Sequence, residues 1–423
     1  MKFNYGKTFL LGFGFLGISI IWPIFNQFIP VFLQAGNPEF ERQLLAEGRP
    51  LPNIAGFGLA PSLALFIMTW DNIMNMFIAP WVGVKSDRTW NRFGRRKPFI
   101  LLGAPLALLA FVFVPVAQSV LAIAAFIFIT NLGMALFRSP TVAWLGDLFS
   151  AEDRSKANGV INLMGGVGAL LAYFGGGLLF NQFGRAAPFI AGAAATALAL
   201  VIAVIFVRES PAGVPAEKDQ QNNISTNVKI LFANPDRSAL FVLLGILLWF
   251  IGFSAFDAGL SSFAVFTLGM KAGTASIYAG TMTIFFLLFA VPAGFLGTRW
   301  GRERTIQIGL IGLILSSLLG FFLIQGAVTL VIILLFAGAF WAMVNVNSLP
   351  LVYDHGNEKQ IGAYTGLYYF SSQLAAVLGP TLLGILVQAL GNQYRWLWLF
   401  AAIFMTIALG AMLGVRRQEA TIR

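Results

Sequence analysis

The sequence contains no cysteine, a single histidine and few charges: Asp, Glu, Lys and Arg make up 10% of its 423 residues. The first absence excludes disulfides, thiolate catalysis and cysteine-ligated metals. The second leaves His355 alone in a polar stretch, too little for a histidine-ligated metal or a Ser-His-Asp triad. No resident cofactor or metal is expected. The scarcity of charge says most, because a soluble domain carries roughly 25% charged residues to keep its surface wet.

What replaces charge is apolar: 58% of the residues are hydrophobic. They gather in twelve runs, 8–33, 54–84, 98–118, 120–148, 157–180, 186–207, 238–268, 274–298, 305–324, 327–352, 361–390 and 395–415. Each is long enough for the ~18 residues that a helix needs to cross a hydrocarbon core about 30 Å thick. The first run follows the N-terminus without a small-residue cleavage site, so it reads as a membrane helix and not as a removable signal. The expected fold class is an all-α, multi-pass membrane protein of twelve transmembrane helices, embedded in the lipid bilayer of a cell inner or plasma membrane.

The formal net charge of +10 could suggest nucleic acid, but its distribution does not. With twelve spans, alternate loops fall on opposite sides. Arg42, Arg49, Arg185, Lys271 and Arg395 are on the odd-loop side and Arg138 is inside a span; the remaining Lys and Arg are with the termini and the even loops. That asymmetry follows the positive-inside rule and places both termini in the cytoplasm. Nucleic acid is not an expected partner, and a monomer is expected.

Residues 208–237 form the one long polar stretch, rich in Pro, Asn, Gln and charge. We read it as a cytoplasmic linker, with a short surface helix near 226–233, between an N-terminal six-helix bundle (1–207) and a C-terminal one (238–423). The halves match at one offset. RFGR at 92–95 recurs as RWGR at 299–302, an offset of 207 (299 − 92), and Asp147 and Gly159 recur at that offset as Asp354 and Gly366. Parallel six-span repeats imply a pseudo-twofold axis along the membrane normal and a solute site between the halves near the midplane.

The loop GVKSDRTWNRFGRRKP (83–98) is the clearest motif. In its plainest reading it is a solvated basic loop that sets topology. It also resembles the signature loop of the major facilitator superfamily, Gly-x-x-x-Asp-Arg followed by Gly-Arg-Arg/Lys. That resemblance implies a gate at the cytoplasmic end: Gly83 for close helix approach, Asp87 at a helix end, and Arg88 or Arg95 in a charge relay with Asp147. Asp354 is the matching acid of the second half.

Ionised groups at bilayer depth cost about 2.5–3.5 kcal/mol on insertion scales and mark function more often than not. Three occur: Asp71, Arg138 and Asp257. Asp71 precedes Asp87 by 16 residues, about 24 Å of helix, and Arg138 precedes Asp147 by nine, about 13 Å. Two acids against one arginine leave a carboxylate free to take up a proton or metal cation; an Arg–Asp pair that only locks helices is the alternative. Amides extend this polar set: Asn26 and Gln27 in the first run, Asn75 on the stripe of Asp71, and Asn131 on the stripe of Arg138. Asn345, with Asn347 nearby, and the pair Tyr369 and Gln373 complete it. Amides beside Trp70, Trp249, Phe256 and Trp341 suit a sugar, whose hydroxyls need donors and acceptors while its C–H faces pack on rings, although any one amide can equally be interhelical glue.

Three segments narrow the resemblance. SDRTWNRFGRRKPFI (86–100), PTVAWLGDL (140–148) and WFIGFSAFD (249–257) are similar to the corresponding segments of sucrose–proton symporters, near the glycoside–pentoside–hexuronide cation symporters. The resemblance implies alternating-access symport of a sugar such as sucrose or maltose with a proton or cation. Departures bear on coupling. Where those symporters carry a proton-binding Asp and an Arg in the fourth span, this chain has Asn131 and Val142. Their second seventh-span acid falls on Gly259, and the following Arg-Glu pair falls on Phe263 and Ala264. Coupling is therefore expected at Asp71 or Asp257, with Arg138 tuning the carboxylate. An uncoupled sugar facilitator and a multidrug or metabolite exporter of the same fold stay open. A membrane enzyme or receptor would need a catalytic constellation or soluble domain that the sequence does not display.

Overall fold

The computed structural model describes residues 4–209, 237–354 and 361–415, so His355 and the helix expected near 226–233 lie outside the described residues. Among the described residues, twelve helices are long and apolar enough to cross a membrane. In the N-terminal half they are spans 1 to 6: Tyr5–Gln34, Pro61–Arg88, Lys97–Val116, Val120–Leu148, Lys156–Phe183 and Ala187–Phe206. Spans 7 to 12 are Ser238–Phe266, Ala272–Trp300, Arg302–Leu323, Ala327–Asp354, Tyr364–Ala389 and Trp396–Leu413. Helices satisfy every backbone polar group internally, which hydrocarbon demands.

Three local departures from uninterrupted spans matter. Span 2 was expected from residue 54 but starts at Pro61, because Gly58 takes φ +65° and the preceding strip is tied to the end of span 1. The Phe57 and Leu59 amides donate to the carbonyls of Phe32 and Leu33 at 3.1 and 2.8 Å. Span 2 also breaks after Ile67, where the Thr69 hydroxyl donates to the Phe66 carbonyl at 2.7 Å, and restarts at Trp70. Asp71 thus sits in the first turn of the second segment, the end at which backbone N–H groups favour a carboxylate. In span 5, residues Leu171–Gly175 form a π-helical turn.

The stretch after span 1 adds a short helix, Pro38–Ala46. Its start is written locally: the Asn37 side chain accepts from the Glu39 amide at 3.0 Å, Pro38 opens the first turn, and two glutamates follow. Phe40 and Leu44, one turn apart, are its buried face.

Each half packs its own spans, and the halves meet through spans 1 and 7, 2 and 11, and 5 and 8. The last two pairs are exchanged by the repeat, which maps span 2 onto 8 and 5 onto 11. Both seams close on a glycine. A Cβ on Gly177 would collide with the Gly273 carbonyl, and one on Gly384 would meet the Pro61 carbonyl at 2.7 Å. These two glycines stand at the same offset of 207 (384 − 177).

We call the end with Asp147 and Asp354 basal and the opposite end distal. Distally the halves are sealed. Gln34 donates to the Ser262 hydroxyl at 2.9 Å and accepts from the Tyr394 hydroxyl at 2.5 Å, all three side chains being buried. Phe40 stacks on Phe266 with ring centroids 4.6 Å apart, and Gln43 donates to the Gly391 carbonyl at 2.6 Å. Basally, no hydrogen bond or ion pair joins the halves among the described residues. Gly159 and Gly366 face open space there.

Candidate transport site

Two chambers meet at Asp257. One, of about 240 Å³, is bounded by Trp22, Asn26, Asp71, Asn72, Arg138 and Ser254 together with Asp257 and Phe253. The other, of about 210 Å³, is bounded by Gln27, Tyr173, Thr283, Phe286 and Trp341, again with Asp257 and Phe253. Both are a little below the usual size of a drug-like pocket, so they fit small solutes or the two parts of one.

Helical geometry explains the partition. Asn26 and Gln27 are consecutive, about 100° apart around span 1, so they enter different chambers. Phe253 and Asp257 are one turn apart on span 7 and form the shared wall. Across that wall Asn26 donates to Asp257 Oδ2 at 3.0 Å, a direct bond between the halves. The charged chamber holds two carboxylates and one guanidinium. Asp71 accepts from its neighbour Asn72 at 2.8 Å. Arg138 lies over the Trp22 ring, 6.0 Å from its centroid, and makes no ion pair among the described residues. Asp71 and Asp257 therefore remain able to meet a solute or a proton.

The second chamber is aromatic. Phe253 and Trp341 stack with centroids 3.8 Å apart and planes within 3°. Both amide atoms of Gln27 are buried without a hydrogen bond of normal geometry, although the Tyr173 hydroxyl lies beside them. An unmet amide against a π-face is a ready contact for a hydroxylated solute.

The other amides fall elsewhere. Asn131 is buried with both amide atoms unpartnered, yet it bounds neither chamber. Asn75 and Asn345 are half-buried, Tyr369 is 55% exposed, and Gln373 keeps a buried, unpartnered Oε1; none of these four bounds either chamber. Asn347 donates to the Ala293 and Met343 carbonyls at 3.1 and 2.9 Å and so ties span 10 to span 8. Trp22, Asn72, Ser254, Tyr173, Thr283, Phe253 and Phe286 enter as neighbours that the sequence pattern did not select, whereas Trp341 and Phe256, expected beside the amides, do bound the second chamber.

At the basal end the signature loop closes on Arg96. Its guanidinium donates to Asp147 Oδ2 at 2.7 Å and to the Ser86 hydroxyl at 2.5 Å, and pairs with Asp87 at 2.5 Å. Arg95 stands 3.8 Å from Asp147. Arg88 is exposed with no ion pair among the described residues. A Cβ at Gly83 would meet only the Ser139 hydroxyl, at 3.7 Å, so packing does not demand glycine there. Burial works against the charge on Arg96; Asp147 and Asp87 more than restore it, leaving its pKa above the usual guanidinium value.

Glu209 completes the cluster. Its carboxylate accepts from the backbone amides of Arg95, Arg96 and Lys97, capping span 3, and from the Trp144 indole at 2.9 Å. Gly94, at φ +109°, leaves room for it: a Cβ would strike the carboxylate. In the second half Gly301 repeats the positive φ, at +91°, and Arg302 pairs with Asp354. The N-terminal relay is complete in a structure whose basal ends are unjoined, so these contacts do not by themselves close that end.

Spans, repeat and signature loop together define a membrane carrier of two six-helix halves. Residues 7–287 and 267–422 match the Major Facilitator Superfamily, and the chain belongs to that family. Among its relatives, the class B tetracycline resistance protein of Escherichia coli is 24% identical over 80% of this chain and 82% of its own length. Multidrug resistance protein 2 of Bacillus subtilis (strain 168) is 25% identical over 94% of this chain and 90% of its own. A sucrose transport protein of Arabidopsis thaliana is 26% identical over 30% of this chain and 25% of its own length. A crystal structure of the nucleoside transporter NupG superposes with a TM-score of 0.73 at 15% identity, covering 97% of this chain and 100% of that one. That likeness speaks for the fold alone.

Proposed function

We propose that the protein moves a small polyhydroxylated solute of the sugar class across the membrane by alternating access, coupled to a proton. The bundles 1–207 and 238–423 rock about the chambers, tethered by 208–237, with the basal end in the cytoplasm as the charge count indicates. The observation that carries this reading is Asp257: it belongs to both chambers and is bonded across the halves by Asn26.

Hydroxyls of the solute donate to Asp71 and Asp257 and accept from Arg138 and the Asn26 and Asn72 amides. Its C–H face lies on Trp341 or Trp22. Two carboxylates and one guanidinium give the chamber a formal charge of −1, and a single proton brings it to zero. Neutralisation lowers the cost of enclosing the groups away from water. A proton on Asp257 also removes the charge that makes the Asn26 bond strong, which links protonation to the junction between the halves. Overlap with sucrose transport protein of Arabidopsis and with a human protein named proton-associated sugar transporter A supports the sugar class.

In proteoliposomes with an imposed pH gradient, labelled sucrose or maltose should accumulate. Asp257→Asn should abolish that accumulation while preserving sugar exchange at equal pH. Full uphill uptake by both Asp257→Asn and Asp71→Asn would refute the coupling assignment. A second reading is export of a planar, largely apolar compound. It is favoured by the nearly full-length overlap with the tetracycline and multidrug resistance proteins and by the stacked Phe253 and Trp341. The same vesicles loaded with tetracycline separate the two, since only an exporter moves it against its gradient when protons are supplied from the opposite side.

A further inference from the structure

One large apolar recess among the described residues lies outside the transport path. It is a groove of about 740 Å³ between spans 3 and 6, facing away from the chambers. It is lined by the small residues Ala104, Ala193, Ala194 and Ala197 and by leucine, isoleucine and valine side chains. On span 3 it extends from Ile100 to Val112, about 18 Å of helix. That is close to the depth of one leaflet, half of a ~30 Å core.

The equivalent place in the other half is filled. There Gly320 of span 9 lies against the Trp398 ring of span 12, and Gln307 donates to the Met412 carbonyl at 3.4 Å. Spans 9 and 12 thus touch at Gln307 and Met412, the positions that match Ile100 and Ile205 on either side of the groove.

Its basal mouth is cationic. Lys97 opens span 3 and Arg208 follows span 6. The Lys97 amide donates to Glu209 at 3.2 Å, which brings residue 208 beside residue 97. Neither cationic side chain has an ion pair or hydrogen bond among the described residues, whereas the Glu209 carboxylate is occupied by three backbone amides and Trp144. Along a membrane-facing helix pair, an apolar slot one leaflet deep that ends in two unpaired cations matches one kind of molecule.

We propose that this groove holds one acyl chain of an anionic phospholipid, with its headgroup phosphate between Lys97 and Arg208. The inference does not depend on what the protein transports. It places a lipid phosphate next to the carboxylate that caps span 3, so lipid charge bears on the basal cluster around Arg96.

The test uses the full chain, purified in detergent, stripped of lipid and then exposed to mixed micelles of phosphatidylglycerol or phosphatidylcholine with the same acyl chains. Retained lipid is counted by native mass spectrometry. The wild type should retain phosphatidylglycerol roughly thirtyfold better, given about 1 kcal/mol for each of the two basic side chains near a lipid surface. Arg208→Gln, an exposed change that leaves the fold intact, should cut that preference roughly fivefold. Ala197→Trp, which fills the slot, should remove retention of both lipids. Equal retention of the two lipids by the wild type overturns the proposal. So does phosphatidylglycerol binding that survives both Arg208→Gln and Ala197→Trp unchanged.

Discussion

In the C-terminal half, the loop between spans 8 and 9 brings one arginine to one carboxylate, Arg302 to Asp354, and both side chains stay partly exposed. In the N-terminal half the equivalent loop feeds a buried cluster, in which Arg96 bridges Asp87, Asp147 and Ser86 while Glu209 caps the helix start. The shared part is the inherited pair, since Arg95 with Asp147 corresponds to Arg302 with Asp354. The rest differs at single positions. At the same offset Arg96 becomes Glu303, Asp87 becomes Gly294 and Ser86 becomes Ala293. One half has turned a surface pair into a framework, and the other has kept the pair.

The difference is measurable by thermal or denaturant unfolding of the purified protein. Arg96→Ala should have the largest effect, because it leaves two carboxylates facing each other without their cation; breaking such a partly buried network costs about 3 kcal/mol. Arg96→Lys should recover only part, since an ammonium cannot bridge two acids with a planar fork. Glu209→Gln should come next, at about 1.5 kcal/mol, the scale of a hydrogen bond to a charged group. Arg302→Ala should be smallest, below about 1 kcal/mol, as for an exposed pair. If Arg302→Ala destabilised as much as Arg96→Ala, the two ends would be equivalent in spite of their geometry.

Much of the fold could be read from the sequence because hydrocarbon leaves few choices: long apolar runs are spans, and their repeat is visible in RFGR and RWGR. The break in span 2 was not legible, since Met68 and Thr69 carry no proline or glycine to announce it. The start at Pro61 was overlooked because the apolar strip before it resembles helix, whereas Gly58 turns it aside. Asp71, Arg138, Asp257, Asn26 and Gln27 stood out because polar groups are costly at that depth, and they do meet at the chambers. Of the aromatic chamber, Trp341 and Phe256 were expected beside the amides, but Phe253 and Phe286 could not be singled out among 42 phenylalanines. Asn131 shares a helix stripe with Arg138, but the two reach different surroundings, as spacing fixes direction only to within a neighbouring face. The choice among Arg88, Arg95 and Arg96 depended on the turn at Gly94, and Glu209 was hidden by the polar stretch that follows it.

The π-helical turn at Leu171–Gly175 has a consequence for how span 5 tolerates change in length. It holds one residue more than an α-helical turn, so everything distal to it is rotated by about 100° from an uninterrupted helix. Tyr173 gains its place in the aromatic chamber there, and its carbonyl accepts from Ser276 of the other half at 3.0 Å. Beyond the turn, Gly177 meets Gly273, and Asn181 donates to Thr274 at 3.1 Å. Five π-helical residues turn and rise about as far as four α-helical ones, so a one-residue deletion within the turn restores a regular α-helix and keeps these distal contacts on the partner helix. The turn is thus slack held in reserve: span 5 can lose one residue there without shifting chamber or seal, whereas a side chain added at Gly177 or Gly273 has no room at the seam.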